Sequence, residues 1–219
     1  MTLVKICGIT NSEDARLAVE CGADLLGFNF YQRSPRYIAP GAARDIEVKL
    51  RSQFAFRTLG VFVNESLESL LQITVRSNID AIQLHGDETI AYFEQAHDYS
   101  SLAVVKAFRV DADATVHKVA QYWRQDVGEL YELMGVLLDG YSPAVYGGSG
   151  EVADWEFARL VSNNIPRVYL AGGLTPENVA DAIRAVRPYA VDVASGVESS
   201  PGKKDPKKLE AFIKNAKNA

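Results

Sequence analysis

Cysteine is nearly absent from this 219-residue chain: Cys7 and Cys21 are the only two. Two such residues make no disulfide framework, and their spacing is not that of a zinc site. The three histidines, His85, His97 and His117, are too dispersed in sequence to read as a metal cluster. Long apolar runs are missing as well, so no segment is expected to cross a bilayer. The opening residues, MTLVKICGIT, lack the charged start, apolar stretch and small-residue cleavage site of a secretory signal. Together with the scarcity of cysteine, this makes a reducing cytoplasm the expected location. There is no long basic run, and 23 Lys and Arg against 28 Asp and Glu give a formal net charge of -5. Neither nucleic acid nor a membrane is therefore an expected partner. No linker rich in proline or serine and no low-complexity segment divides the chain, so residues 1–219 are read as one domain.

What the sequence does have is a hydrophobic fraction of 47%, distributed as short apolar runs that alternate with amphipathic stretches. That alternation marks repeated β/α units and a parallel sheet. Strands are expected at 3–7, 24–30, 57–63, 79–84, 102–106, 134–139, 167–170 and 190–194. The first helix follows Thr10 or Asn11 as N-cap, carries Glu13 and Asp14 in its first turn and ends at Gly22. A second lies beyond Pro40 and Gly41, and a third is capped by Asn64-Glu65-Ser66 and bears Leu67, Leu70 and Leu71 at helical spacing. Others are expected after His85-Gly86-Asp87-Glu88, over 114–122, around Trp155, Phe157, Leu160 and Val161, from Thr175-Pro176-Glu177 with proline at the first helical position, and over 206–217. Eight such units with short connections favour a single closed (β/α)8 TIM barrel over an open, doubly wound sheet.

In a barrel of this kind the chemistry sits on the loops at the carboxyl ends of the strands. Cys7 ends the first strand there; by itself it reads equally as a small buried hydrophobe, and Cys21 in the first helix reads as structural. Asp139 ends the sixth strand, where a carboxylate serves either proton transfer or the capping of the next loop. Gly172-Gly173 and Ser195-Gly196 follow the seventh and eighth strands, where such barrels hold phosphate on backbone N–H groups. Arg36, after the second strand, has the fork geometry to grip a carboxylate. His85 is the one histidine expected at this rim. Lys106 invites comparison with Schiff-base lysines, its alternative being a hydrogen-bonded support role. The run Gly147-Gly148-Ser149-Gly150 suits a cover over the mouth or a loose connection, and Lys203, Lys204, Lys207 and Lys208 are expected to form a solvated face around the last helix.

Taken in order, these residues resemble the phosphoribosylanthranilate isomerase family. The resemblance rests on Lys5-Ile6-Cys7-Gly8-Ile9-Thr10, Ser34-Pro35-Arg36-Tyr37-Ile38, Gly60-Val61-Phe62-Val63-Asn64, Gln83-Leu84-His85-Gly86-Asp87-Glu88, Leu138-Asp139, the 147–150 loop, Leu170-Ala171-Gly172-Gly173-Leu174, Ser195-Gly196-Val197-Glu198 and Pro201-Gly202-Lys203-Lys204-Asp205. Ser149 stands where that family usually has threonine and Ala194 where it usually has serine; residues 112–133 match no strong motif. The resemblance implies an Amadori rearrangement of N-(5'-phosphoribosyl)anthranilate, with Asp139 as general acid and Cys7 as general base. It further implies Arg36 on the anthranilate carboxylate and the loops of Gly172, Gly173, Ser195 and Gly196 on the phosphate, with His85 also among the substrate-binding residues. The expected partner is thus a phosphorylated small molecule, with no redox cofactor and no metal required. Monomer and homodimer both stay open.

Two other functions fit a barrel of this pattern. The histidine-pathway isomerase performs the same rearrangement but typically with two aspartates, whereas here the first strand ends in Cys7. A phospholigand sensor without turnover would need neither Cys7, Asp139 nor the Arg36 clamp.

Overall fold

The computed structural model describes residues 1–110, 115–122, 134–140 and 154–219. The strands β1 (Leu3–Cys7), β2 (Leu25–Asn29), β3 (Arg57–Phe62), β4 (Ala81–Leu84), β5 (Ala103–Val110), β6 (Gly135–Gly140), β7 (Val168–Leu170) and β8 (Ala190–Val193) pair in parallel in chain order. β8 returns to β1, with Lys5 opposite Asp192, and closes the barrel. Between them lie α1 (Ser12–Glu20), α2 (Pro40–Arg51), α3 (Leu67–Ser77), α4 (Ile90–Ser100), α5 (Val116–Ala120), α6 (Trp155–Ser162) and α7 (Val179–Val186), and α8 (Pro206–Lys217) follows β8. The expected eight-fold β/α barrel is the observed fold.

Local chemistry explains where the helices start. Asn11, rather than Thr10, caps α1 by accepting from the Asp14 N–H at 2.8 Å. Ser66 does the same for α3, Asp154 for α6 and Asp205 for α8. Pro40 opens α2 without a side-chain cap, its fixed φ suiting the first turn. α1 ends one residue before Cys21, which serves as its C-cap, and Gly22 leaves the helix at a φ of +99°.

Three differences from the sequence reading bear on the functional site. β5 does not stop at Lys106 but continues to Val110, so Lys106 sits mid-strand, buried. There its ammonium donates to Glu88 Oε2 at 2.9 Å and to the Gly86 carbonyl at 2.7 Å, the support role rather than a free Schiff-base amine. Pro176 is not the first residue of α7: the Asn178 side chain accepts from the Thr175 N–H at 2.8 Å and donates to the Gly173 carbonyl at 2.9 Å. These bonds set a turn ahead of the helix, which then starts at Val179. Finally, β8 is followed by a 3-10 turn over Ser195–Val197 and an antiparallel hairpin, β9 (Glu198–Ser200) with β10 (Lys203–Lys204), neither of which the strand and helix periods announce. The 147–150 loop lies outside the described residues.

Apolar residues fill most of the core, including Ile6, Leu26, Phe28, Leu59, Leu138 and Val191. The barrel interior is the exception. Lys5 on β1 bonds Gln83 on β4, and since these strands are not neighbours the bond crosses the interior. A buried polar group is tolerated only when paired, because desolvation otherwise costs several kcal/mol. The same rule makes the Glu88–Lys106 pair a test of the β4–β5 rim. Substituting Glu88→Gln leaves a buried ammonium without its carboxylate and is expected to lower stability by about 3 kcal/mol in urea denaturation. A loss under about 1 kcal/mol would show that the carbonyls alone hold Lys106.

Candidate active site

A cavity of about 300 Å³ opens at the carboxyl ends of the strands. Cys7, Arg36, His85, Asp139, Gly172, Gly173, Ser195 and Gly196 all line it. Every site residue expected from the sequence is therefore brought to one mouth.

Cys7 opens onto this cavity and is enclosed by protein on its other sides. Its sulfur fits because β2 carries Gly27 beside it: a Cβ at that position would lie 2.7 Å from Sγ and 3.0 Å from the Cys7 Cα. One turn of the β-pleat below, Lys5 occupies the same face of β1. The Lys5 ammonium donates to Asp192 Oδ2 at 2.8 Å and to Gln83 Oε1 at 2.7 Å, and its charge acts on the thiol. Burial pulls the Lys5 pKa down, but Asp192 and Cys7 outweigh it and hold it above the ordinary value. For Cys7 the balance falls the other way. Burial pushes the thiol up and Asp192 adds to this, while Lys5 and Lys204 pull it down; the net is a thiol above its ordinary value near 9. The ligand-free protein thus keeps the thiol proton at neutral pH, contrary to the lowered thiol pKa that a resting thiolate would need.

Across the mouth, Asp139 is buried at the end of β6 with Oδ2 3.2 Å from His85 Nε2. The alignment is not that of a hydrogen bond, and among the described residues His85 Nε2 and Asp192 Oδ1 are buried without a hydrogen-bond partner. The other His85 nitrogen, Nδ1, lies 2.8 Å from the Gln83 amide nitrogen. These two atoms, His85 Nε2 and Asp192 Oδ1, belong to residues lining the cavity, where a ligand could satisfy them.

Arg36 comes from the loop after β2 and reaches over Gly8 to Glu198 on β9. Its Nε donates to Glu198 Oε1 at 2.8 Å and its Nη2 to Oε2 at 2.7 Å, a bidentate pair that fixes the guanidinium plane. Lys204, expected on a solvated face, is instead fully buried, because β10 folds back over the barrel mouth. Its ammonium donates to the Cys7 carbonyl at 2.6 Å, to the Ala194 carbonyl at 3.2 Å and to Glu198 Oε1 at 3.0 Å. Burial pushes the Lys204 pKa down and Glu198 only partly restores it. Lys203, Lys207 and Lys208 remain exposed as expected.

The two glycine loops meet beyond the ends of β7 and β8. Gly172 and Gly173 adopt φ of +86° and +60°, and the Ser195–Val197 turn sits beside them. A Cβ on Gly196 would overlap the Leu174 carbonyl oxygen, so only glycine allows these loops to touch. Among the described residues, no group of three or more His, Cys, Asp or Glu side chains is placed to hold a metal. Nor, among them, is any helix long and apolar enough to cross a membrane.

The family model described as "N-(5'phosphoribosyl)anthranilate (PRA) isomerase" matches residues 4–215, nearly the whole chain. The chain belongs to the PRA isomerase family. A relative named N-(5'-phosphoribosyl)anthranilate isomerase, from Trichlorobacter lovleyi, is 49% identical over 100% of both chains. The crystal structure of phosphoribosyl anthranilate isomerase from Thermotoga maritima superposes with a TM-score of 0.86 at 42% identity, covering 100% of each chain. A further PRA isomerase structure, solved in complex with reduced 1-(o-carboxyphenylamino)-1-deoxyribulose 5-phosphate, matches at a TM-score of 0.83 and 41% identity, again over 100% of both.

For this member of the PRA isomerase family, sequence reasoning left Lys5, Gln83, Asp192, Glu198 and Lys204 without a site role. Lys5 and Asp192 did carry a signal, each being a charged residue inside a short strand buried along its length. Glu198 and Lys204 did not, since their burial depends on a hairpin with no periodic signature. Glu198 is held below the ordinary carboxylate value of 4.5: burial raises it, but Arg36 and Lys204 outweigh that. A depressed folded-state pKa contributes stability above 4.5 that is lost as pH falls through the folded value. The stability gap between the wild type and Glu198→Gln is therefore expected to be full above pH 4.5 and to close below it, as read from urea midpoints across that window. A gap independent of pH would show that Glu198 acts through packing alone.

Proposed function

We propose that the chain, acting through one catalytic domain over residues 1–219, converts N-(5'-phosphoribosyl)anthranilate to 1-(2-carboxyphenylamino)-1-deoxyribulose 5-phosphate, an isomerisation of tryptophan biosynthesis. The observation that carries this reading is the placement of Cys7 on β1 and Asp139 on β6 around one cavity, with Arg36 and the two glycine loops on its rim. In this reading the backbone of Gly172, Gly173, Ser195 and Gly196 takes the phosphate, and the edge of Arg36 left by Glu198 takes the anthranilate carboxylate. Two anionic grips fix the ribose across the mouth. The His85 N–H, unpartnered beside Asp139, takes a ribose oxygen.

The chemistry then follows by proton transfer alone. Asp139 as general acid gives its proton to the ribose ring oxygen, and the bond from that oxygen to C1 breaks, leaving a protonated imine at C1. The imine acidifies the C2 proton. Cys7 as thiolate removes it, and the electron pair of that bond forms the C1–C2 double bond of an enolamine while the imine nitrogen becomes neutral. Protonation at C1 and loss of the hydroxyl proton at C2 give the aminoketone. The atoms of substrate and product are the same, so the step consumes no oxidant or reductant.

Turnover of freshly made phosphoribosylanthranilate, followed by its loss of fluorescence, tests the reading directly; binding of a reduced product analogue without turnover would replace it with a sensor. Cys7→Ser and Asp139→Asn are each expected to lower kcat roughly 10²–10⁴-fold with little change in binding. Near-normal turnover in either variant removes that residue from its role. Arg36→Ala is expected to raise KM by about tenfold or more, the worth of a charge-assisted hydrogen bond. Because burial holds the Cys7 thiol above its ordinary value, kcat/KM is expected to rise with pH through neutrality. A rate that falls over that range would mean that another group is the base.

A further inference from the structure

The mechanism above uses Cys7 and Asp139 but none of the buried groups beneath them. Lys5, Gln83 and Asp192 form a polar layer across the barrel interior, directly under the mouth. Lys5 is 0% exposed; its ammonium bonds Asp192 on β8 and Gln83 on β4, and it stands two residues before Cys7 on the same face of β1. A fold that needed only a filled interior would place an aliphatic residue here, since replacing a buried ion pair with apolar groups of similar volume is often neutral or stabilising.

The Gln83 amide has its orientation set by this arrangement. An ammonium can only donate, so the atom facing Lys5 Nζ at 2.7 Å is the amide oxygen. The amide nitrogen therefore faces His85 Nδ1 at 2.8 Å, and as an amide nitrogen only donates, Nδ1 must accept. Neutral His85 then carries its proton on Nε2, the nitrogen 3.2 Å from Asp139 Oδ2.

We propose that Lys5 is a positioning residue for the isomerisation: its ammonium holds the Cys7 sulfur as a thiolate during proton abstraction and, through Gln83, locks His85 with its proton on Nε2 beside Asp139. The proposal deepens the functional reading above and rests on it for the catalytic consequence. Other charges also face Cys7. Asp192 from β8 opposes the thiolate, Lys204 from β10 favours it, and Arg36 from the β2 loop lies near enough to feel it, its charge and that of Lys204 being shared with Glu198 on β9. Of the cations, Lys5 exerts the largest downward pull on the thiol. Its place on the buried side leaves the cavity side of the sulfur free for the substrate proton.

The test is the pH dependence of Cys7 alkylation by iodoacetamide in a Cys21→Ser background, which reports the thiol without requiring turnover. Lys5→Met and Lys5→Gln both remove the charge, the second keeping polar contacts in the layer should the first fail to fold. Either folded variant is expected to alkylate at least about tenfold more slowly at pH 8, with the profile moved to higher pH by about one unit or more. In turnover, kcat is expected to fall by a similar factor with KM little changed, and to recover partly as pH rises. An unmoved alkylation profile in a folded variant overturns the role at the thiol. For the histidine, ring ¹⁵N shifts of the wild-type protein, assigned with His85→Gln, are expected to show a protonated Nε2 and a bare Nδ1; the reverse tautomer overturns the relay through Gln83. If wild-type protein fails to turn over phosphoribosylanthranilate while the Lys5 variants still shift the alkylation profile, the functional reading fails and the hold of Lys5 on the thiol stands.

Discussion

A fully buried ammonium is the constraint around which the barrel interior is arranged. Lys5 cannot be discharged cheaply while Asp192 lies 2.8 Å away, and it cannot be left unpaired without a penalty of several kcal/mol. Two of its N–H directions are therefore committed, and each commitment fixes another strand: β8 through Asp192 and β4 through Gln83. The β1–β8 pairing that closes the barrel places Lys5 opposite Asp192 in register. A slip of one residue would turn Lys5 out of the interior and leave Asp192 buried alone, so the pair also guards the register of closure.

A second buried cation performs the corresponding task above the sheet. Lys204 binds the carbonyls of Cys7 and Ala194, which leave the ends of β1 and β8, and ties them to Glu198. Glu198 in turn holds Arg36 by both oxygens, so one carboxylate connects the C-terminal hairpin with the loop after β2. Arg36 is thereby presented in a fixed plane instead of sampling rotamers in water, which would lower the entropy lost on binding the proposed carboxylate at its remaining edge. The hairpin is thus a structural extension of the mouth, although it lies outside the eight β/α units.

The parts of this arrangement that were legible in the sequence are those with a period or a local signature. The eight strands and the caps of α1 and α3 follow from apolar runs and from Asn11 and Ser66, whose side chains bond backbone within four residues. The rim residues followed from the fold, because a strand end in a closed barrel has one destination. What stayed hidden depends on contacts between residues far apart in the chain: Lys5 with Gln83, 78 positions away, and Lys204 with Cys7, 197 positions away. Lys204 was misread as solvated because a lysine flanked by Lys203 and Asp205 looks the same whether its strand folds over the mouth or into water. The start of α7 shifted by three residues for a local reason, since an Asn178 side chain that caps the turn backwards competes with the proline signal at 176.

The opposed influences on Cys7 have a common origin in the position of the site. A thiol open to water would ionise more readily, but its thiolate would be hydrated and, in the proposed reaction, the imine would be exposed to hydrolysis. Seating the sulfur in the wall of the barrel removes that water at the cost of raising the thiol, and a cation is then required to return it toward a useful range. In the proposed complex a further cation in the mouth would occupy the space of the substrate and compete for its carboxylate and phosphate. Both lysines stand clear of it, Lys204 bound to the Cys7 carbonyl above the sheet and Lys5 one β-pleat below with its charge balanced by Asp192. Placing the counter-charge on β8, adjacent to β1, keeps this balance local, while Gln83 carries the influence of Lys5 to His85 beside Asp139 on the other wall.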